Sequence, residues 1–355
     1  MKKLIFLVLG LAFLSNVEPV FSAPIEIKFP HIYPECAPVG RGANLFKVLA
    51  ENRLKDKVKV NVYPDRQFGN TIKIMKALQS GTIQIAALPL YRLAGVSEKF
   101  KVFELPFLFE DEGAVSRFQT SSVNKILLDA AKKQGYKGLA FWHSGMKQLM
   151  AKKPLLVPAD AKGLKFAVSK AMISEVAKLK YKAVGVVPLQ MGSRNIYQAL
   201  QKGIADGLEG SWQWLFYGKF YELQKFISVT NHSYAGFLLT ANTRFWKSLS
   251  SDIRNQLQAI IAEVTTEVNR LAVEDSFNAI QAIKKLGIVQ IKTLSSEERN
   301  KWLEHMKPVW NKLESSIGTE IVQAAMRSGT AGGGDPCGLG ECRCMDRSCK
   351  KICCY

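Results

Sequence analysis

The chain has 355 residues, of which 47% are hydrophobic and 22% charged, with a formal net charge of +19. That length supports a large hydrophobic core without help from disulfides. Beyond the N-terminus no run of eighteen apolar residues occurs, which excludes a later membrane-spanning helix, and the basic balance favours anionic partners and surfaces.

The N-terminus pairs Lys2 and Lys3 with the apolar run LIFLVLGLAFL, Leu4 to Leu14, followed by the small residues of VFSA. A run this short does not span a bilayer. The pattern reads as a secretory signal peptide over residues 1–22, cleaved after Ser22 or Ala23. An exported chain without a stable membrane anchor follows, and export argues against nucleic acid as the partner of its basic surface.

Alternating strand and helix patterns fill the body. EIKFPHIY (26–33) starts as an alternating strand, ANLFKVLAENRLKD (43–56) has helical spacing, and KVKVNVYP (57–64) puts Val58, Val60 and Val62 on one strand face. NTIKIMKALQSG (70–81) predicts a helix stopped by Gly81, and IQIAALP (83–89) the next strand. The order β-α-β-α-β implies a mostly parallel sheet with covering helices. The pattern restarts with strands at 138–145 and 164–169, a helix at 172–181, a strand at 183–190 and a helix at 193–203, which suggests a second lobe joined to the first by crossing strands. A long helix is predicted over 250–285, with Ile253, Leu257, Ile260, Val264, Val268 and Leu271 on its buried face. Ser295 and Glu298 have capping-box spacing at the start of a further helix, in which Pro308 predicts a kink. SGTAGGGDP (328–336) reads as a flexible tether.

The four histidines, His31, His143, His232 and His305, form no metal-ligand spacing. No nucleophile elbow and no phosphate-binding loop occur, so no enzyme activity, metal or cofactor is indicated. Ligands of α/β folds bind at the carboxyl ends of strands and between lobes. The candidate stretches are HIYPECAP, LPLYRLAG, WHSGMKQ, KFAVSK, PLQMGSR, DGLEGSWQW and NHSY, all taken as strand ends or loops. They supply His31, Tyr33, Tyr91, Trp142, Lys147, Ala167, Lys170, Gln190, Arg194, Glu209, Gly210, Trp212 and Tyr234 as candidate ligand-binding residues, with Arg66 from VYPDRQFGN.

HIYP, VYPDRQFGN, MKALQSGTIQIA, ELPFLFED, ADAKGLKFAV, NIYQALQKGIADGLEG and FYELQKFISVTNHSY occur in this order. Together they resemble the DctP-type solute-binding proteins of tripartite ATP-independent periplasmic (TRAP) transporters, over about residues 25–325. The resemblance implies a two-lobed periplasmic binding protein fold of the α/β class with mixed sheets and a long helix spanning both lobes. Lobe I then comprises residues 23–144 and 236–275, and lobe II residues 145–235 and 276–327. It also implies a periplasmic monomer that closes on a small solute, usually an organic acid, and delivers it to TRAP membrane permease subunits. The family's carboxylate-binding arginine falls at Ala167, a second arginine at Lys147, and an asparagine at Gly210. Either Lys147 anchors an anion with Arg66, Lys170 or Arg194, or Glu209 faces the cleft and prefers a cation, an amine or a polar neutral group.

Six of the seven cysteines, Cys337, Cys342, Cys344, Cys349, Cys353 and Cys354, lie in the last nineteen residues (337–355), beyond the resemblance. Six cysteines allow fifteen pairings. The tail is a disulfide mini-domain, a soft-metal thiolate site or a disordered extension. An alternative function follows from it: a carrier or secreted effector acting through the tail. Cys36 is left over, for burial or for pairing with a tail cysteine.

Overall fold

The computed structural model describes residues 23–330. The expected signal peptide, the tether beyond residue 330 and the six tail cysteines lie outside the described residues.

Nine strands are described: β1 (Ile25–Pro30), β2 (Val58–Tyr63), β3 (Ile85–Pro89), β4 (Tyr136–Ala151), β5 (Lys165–Ser169), β6 (Val187–Met191), β7 (Gly207–Ser211), β8 (Phe226–Asn242) and β9 (Gln290–Thr293). β1 and β2 form a parallel pair. The main sheet runs β3-β8-β4-β7-β5-β6, with β9 also on β8. β5, β6 and β7 are parallel neighbours, whereas β3, β4, β7 and β8 meet antiparallel, so the sheet is mixed.

β4 and β8 are 16 and 17 residues long and pair along most of their length. They do not pair evenly. The register shifts between His143 and Met146 and again between Lys147 and Leu149, and such irregularities bend and twist a ribbon. The N-terminal part of β4 lies near β3 through β8, and its C-terminal part pairs with β7. One ribbon therefore links the two ends of the sheet.

The long helix Ser251–Leu286 spans 36 residues, with the Ser250 hydroxyl capping Ile253 N at 3.3 Å. At 1.5 Å per residue it is about 54 Å long. Leu257, Ile260, Ile261, Val264 and Val268 enter a core with β1, β2 and the helix Pro38–Leu54, while Ala279 and Ile283 enter another with Leu208, Trp212 and Leu215. The helix thus serves both ends. A third and largest core joins Ile74–Ala131 side chains to Phe166, Val176, Tyr181 and the Trp302 and Trp310 rings. It crosses the 144/145 boundary read from sequence, because the helix Ser296–Ile317 packs against both sides of it. That helix runs through Pro308 and carries the expected Ser295/Glu298 capping box. The last helix, Thr319–Thr330, continues three residues into the segment expected to begin a tether.

Candidate functional site

Glu209 sits on β7, opposite Leu149 of β4. Its side chain is 10% exposed and is held from three directions. Lys180 Nζ donates to Oε2 at 2.5 Å, from the helix Glu175–Val184. Lys147 Nζ, on β4, reaches Oε1 at 3.4 Å, and His232 Nε2, on β8, lies 3.0 Å from Oε2. Burial alone would raise the Glu209 carboxyl, but Lys180, Lys147 and His232 outweigh it and hold it well below the usual carboxylate range. Burial lowers Lys180, and Lys147 nearby adds to that, against the pull of Glu209. Phe107, Phe166 and Trp302 close the cluster from one side around a cavity of about 20 Å³, which Tyr181 also lines. That volume is room for one water. The Tyr181 phenol is buried beside Glu209, and burial and that carboxylate together raise it well above its ordinary value.

Glu104 extends the cluster toward β3. Ser174 donates to its Oε2 at 2.6 Å, while its Oε1 is buried and unpaired. Burial raises this carboxyl. Tyr91, one residue past the start of the helix Leu90–Leu93 that follows β3, lies in the field of Arg92, Lys147 and Glu104, although burial is the main influence on its phenol and raises it.

Of the residues expected from sequence, the structure brings Lys147 and Glu209 into direct contact, with Tyr91 beside them. Arg66, Lys170, Gln190 and Arg194 are exposed, and none forms an ion pair among the described residues. Tyr33 is half-buried, edge-on to Phe237 at 5.2 Å. Ala167 is buried in the core with Met150 and Leu208. Three of the candidate aromatics are buried. Trp142 is fully buried between β4 and the long helix, donating to Thr265 at 3.0 Å. Trp212 joins the core with Leu215. The buried Tyr234 hydroxyl bonds His143 Nδ1 at 2.8 Å. Gly210 carries no side chain for a steric reason: a Cβ there would stand 2.2 Å from the Trp214 ring.

The stretches around Glu209 and His232 are strands rather than loops. Cys36 is exposed in the segment after β1. Lys180, His232, Glu104 and Arg92 were not singled out from sequence. Lys180 had a usable signal: it stands four residues from Val176 and Val184, on the helix's buried face.

The buried histidines give the fold an acid limit. Burial lowers His31, His143 and His232 to about 4. An unfolded histidine takes up its proton near pH 6.5, so the stability these rings carry is complete above that value and is lost as pH falls toward 4. Glu112, raised to about 7 by burial, has the opposite sign, its contribution being present below 4.5 and lost as pH rises through 7. Glu104 shares that sign. Near pH 5.5 the three rings outweigh the two carboxyls, so the unfolded chain binds more protons than the folded one and stability falls on acidification. Melting curves from pH 7 to 5 should show the midpoint falling, and a flat or rising midpoint would contradict this balance.

A family model for bacterial extracellular solute-binding proteins, family 7 (DctP), matches residues 29–316. The chain belongs to this family. It is 36% identical to the C4-dicarboxylate-binding periplasmic protein DctP of Vibrio cholerae serotype O1, over 88% of this chain and 92% of the relative. Among solved structures, a TRAP periplasmic solute-binding protein from Shewanella oneidensis with bound succinate superposes with a TM-score of 0.78, at 36% identity, covering 86% of this chain and all (100%) of that one. One from Pseudomonas aeruginosa with bound L-malate gives 0.74 at 35% identity, covering 81% of this chain and 100% of the other. The DctP family consists of substrate-binding receptors, and the mixed α/β architecture with its long helix is that of the TRAP binding proteins.

Proposed function

We propose that this DctP-family chain is the non-catalytic, periplasmic and monomeric receptor of a TRAP transporter, that it binds a small organic acid where β4, β7, β8 and the segment after β3 converge, and that it hands this solute to a membrane permease. The observation that carries the reading is the charge balance there. Lys147 and Lys180 gather around one firmly ionised carboxylate, Glu209, and a second, Glu104, that burial biases toward its neutral form, with Arg92 against the neighbouring Tyr91. Such a site has cationic charge to spare for an anion. The competing idea, that Glu209 recruits a cation, is disfavoured because both its oxygens are already engaged. The relatives named for C4-dicarboxylates, and the similar structures holding succinate and L-malate, support the same solute class.

Binding and release in this reading use the β4–β8 ribbon as a hinge, flexing at the register shift between His143 and Met146. Closure then reports occupancy to the permease as a change of shape.

A thermal-shift panel of succinate, L-malate, galactonate and glucuronate, with putrescine and glucose as cationic and neutral controls, tests the solute class. A solute at one hundred times its dissociation constant adds about 2.7 kcal/mol. At least one acid should raise the melting midpoint. Stabilisation by putrescine or glucose alone would overturn the reading.

A further inference from the structure

Strand β4 shifts register against β8 between His143 and Met146, and three helices close over Gly145, whose φ is 90°. A Cβ on that residue would stand 3.4 Å from Glu112 Oε1, 3.4 Å from Gln213 Oε1 and 3.2 Å from Ser276 Oγ. Glu112 begins the helix Glu112–Gln119, Gln213 lies on the helix Trp212–Tyr217, and Ser276 on the long helix. Gln213 Nε2 donates to Ser276 Oγ at 2.6 Å and to Ala272 O at 3.1 Å, which fixes the orientation of the amide and leaves its Oε1 buried with no donor. Glu112 Oε2 is also buried with no donor, and the carboxyl forms no ion pair among the described residues. The Met146 N–H favours its ionised form, but burial outweighs that and, with the Asp111 charge, raises it to about 7. The groups packed around it bring no cation to it. His143 of β4, lowered to about 4 by burial, lies 3.2 Å from Ser116 Oγ and 2.8 Å from the Tyr234 hydroxyl of β8. Asp275 of the long helix accepts from Tyr217 at 2.6 Å, and Arg299 of the helix Ser296–Ile317 feels Glu110 and Asp111 instead.

Two acceptors gathered at one point repel each other unless a proton joins them. We propose that Glu112 is a proton switch at the hinge: neutral, it donates from Oε2 to Gln213 Oε1 and ties the helix Glu112–Gln119 to the two helices across Gly145; ionised, it loses that bond and the β4–β8 ribbon flexes. The one covalent bond that breaks is the O–H of Glu112, whose proton goes to water. The sign follows from the direction of the shift. A carboxyl raised in the tied form contributes fully below its ordinary value of 4.5, and that contribution is lost as pH rises through 7. Acid therefore stiffens the hinge and base loosens it.

This inference rests on reading the register shift as a hinge, and its test separates the two. Amide hydrogen exchange is followed in solute-free wild type, Glu112→Gln and Glu112→Ala at pH 5.5 and 7.5, as protection factors, which remove the intrinsic pH dependence of exchange. Glutamine donates as the neutral acid does and does not titrate. Protection of residues 143–147 in Glu112→Gln relative to wild type should grow roughly 20-fold from the lower pH to the higher, as expected for a carboxyl that titrates at about 7 when tied and at 4.5 when released. His143 titrates alike in both proteins and cancels from that ratio. Glu112→Ala, which has no donor, should be weakly protected at both pH values. A ratio that changes by less than about twofold overturns the switch, as does Glu112→Ala protected as well as Glu112→Gln. If residues 143–147 of wild type exchange at pH 7.5 as slowly as the evenly paired residues 140–142, the hinge reading itself is overturned.

Discussion

Glu209→Ala should destabilise the protein by about 3–5 kcal/mol, the usual cost of removing one partner from a buried ion pair. The reason is what remains. Lys180 Nζ, on a side chain 9% exposed, loses its carboxylate within a wall of Phe107, Phe166 and Trp302, while Lys147 stands nearby as a like charge. Adding Lys180→Met should recover most of the loss, because an apolar residue of similar length replaces the stranded ammonium. Urea unfolding of wild type, both single variants and the double variant gives the coupling energy directly. A cost below about 1 kcal/mol for Glu209→Ala, the range of exposed pairs, would place Glu209 in solvent.

Trp142→Ala should cost about 3–5 kcal/mol as well, for a different reason: it empties the centre of a core. The ring is fully buried, 6.1 Å from Phe29 centroid to centroid, and its Nε1 is tied to Thr265 on the long helix. Under conditions where the variant is folded, solute affinity should change by no more than a few-fold. Strongly impaired binding with unchanged stability would return Trp142 to the cleft, where its position in WHSGMKQ had suggested it.

What could be read in advance follows from how each element is exposed. Strand β2 alternates because one of its faces is less covered, so Val58 and Val60 stood out and are buried. The stop at Gly81 is a left-handed C-cap with φ 90°, a conformation that glycine adopts without strain. Strand β8 escaped notice because it lies between β3 and β4, also carries β9, and is buried on both faces. A strand covered in that way has no polar alternation to display. Its Asn231, His232 and Ser233 resembled a loop, yet His232 points at Glu209 from within the sheet. The site was half legible for the same reason. Lys147 and Glu209 could be placed through the family resemblance, whereas Lys180 lies in the basic run KLKYK (178–182), whose charge hides the helix face. Its burial is a property of the helix face, visible only when counted in steps of four.

The account's central claim is an anion-binding site built from spare cationic charge, and the most direct measurement is the identity of the solute retained by the purified, non-denatured protein. Native mass spectrometry followed by solute identification should recover a small organic acid bearing at least one carboxylate, lost on exchange into high concentrations of succinate or L-malate. Recovery of an amine or another cationic metabolite, displaced by neither acid, would contradict it.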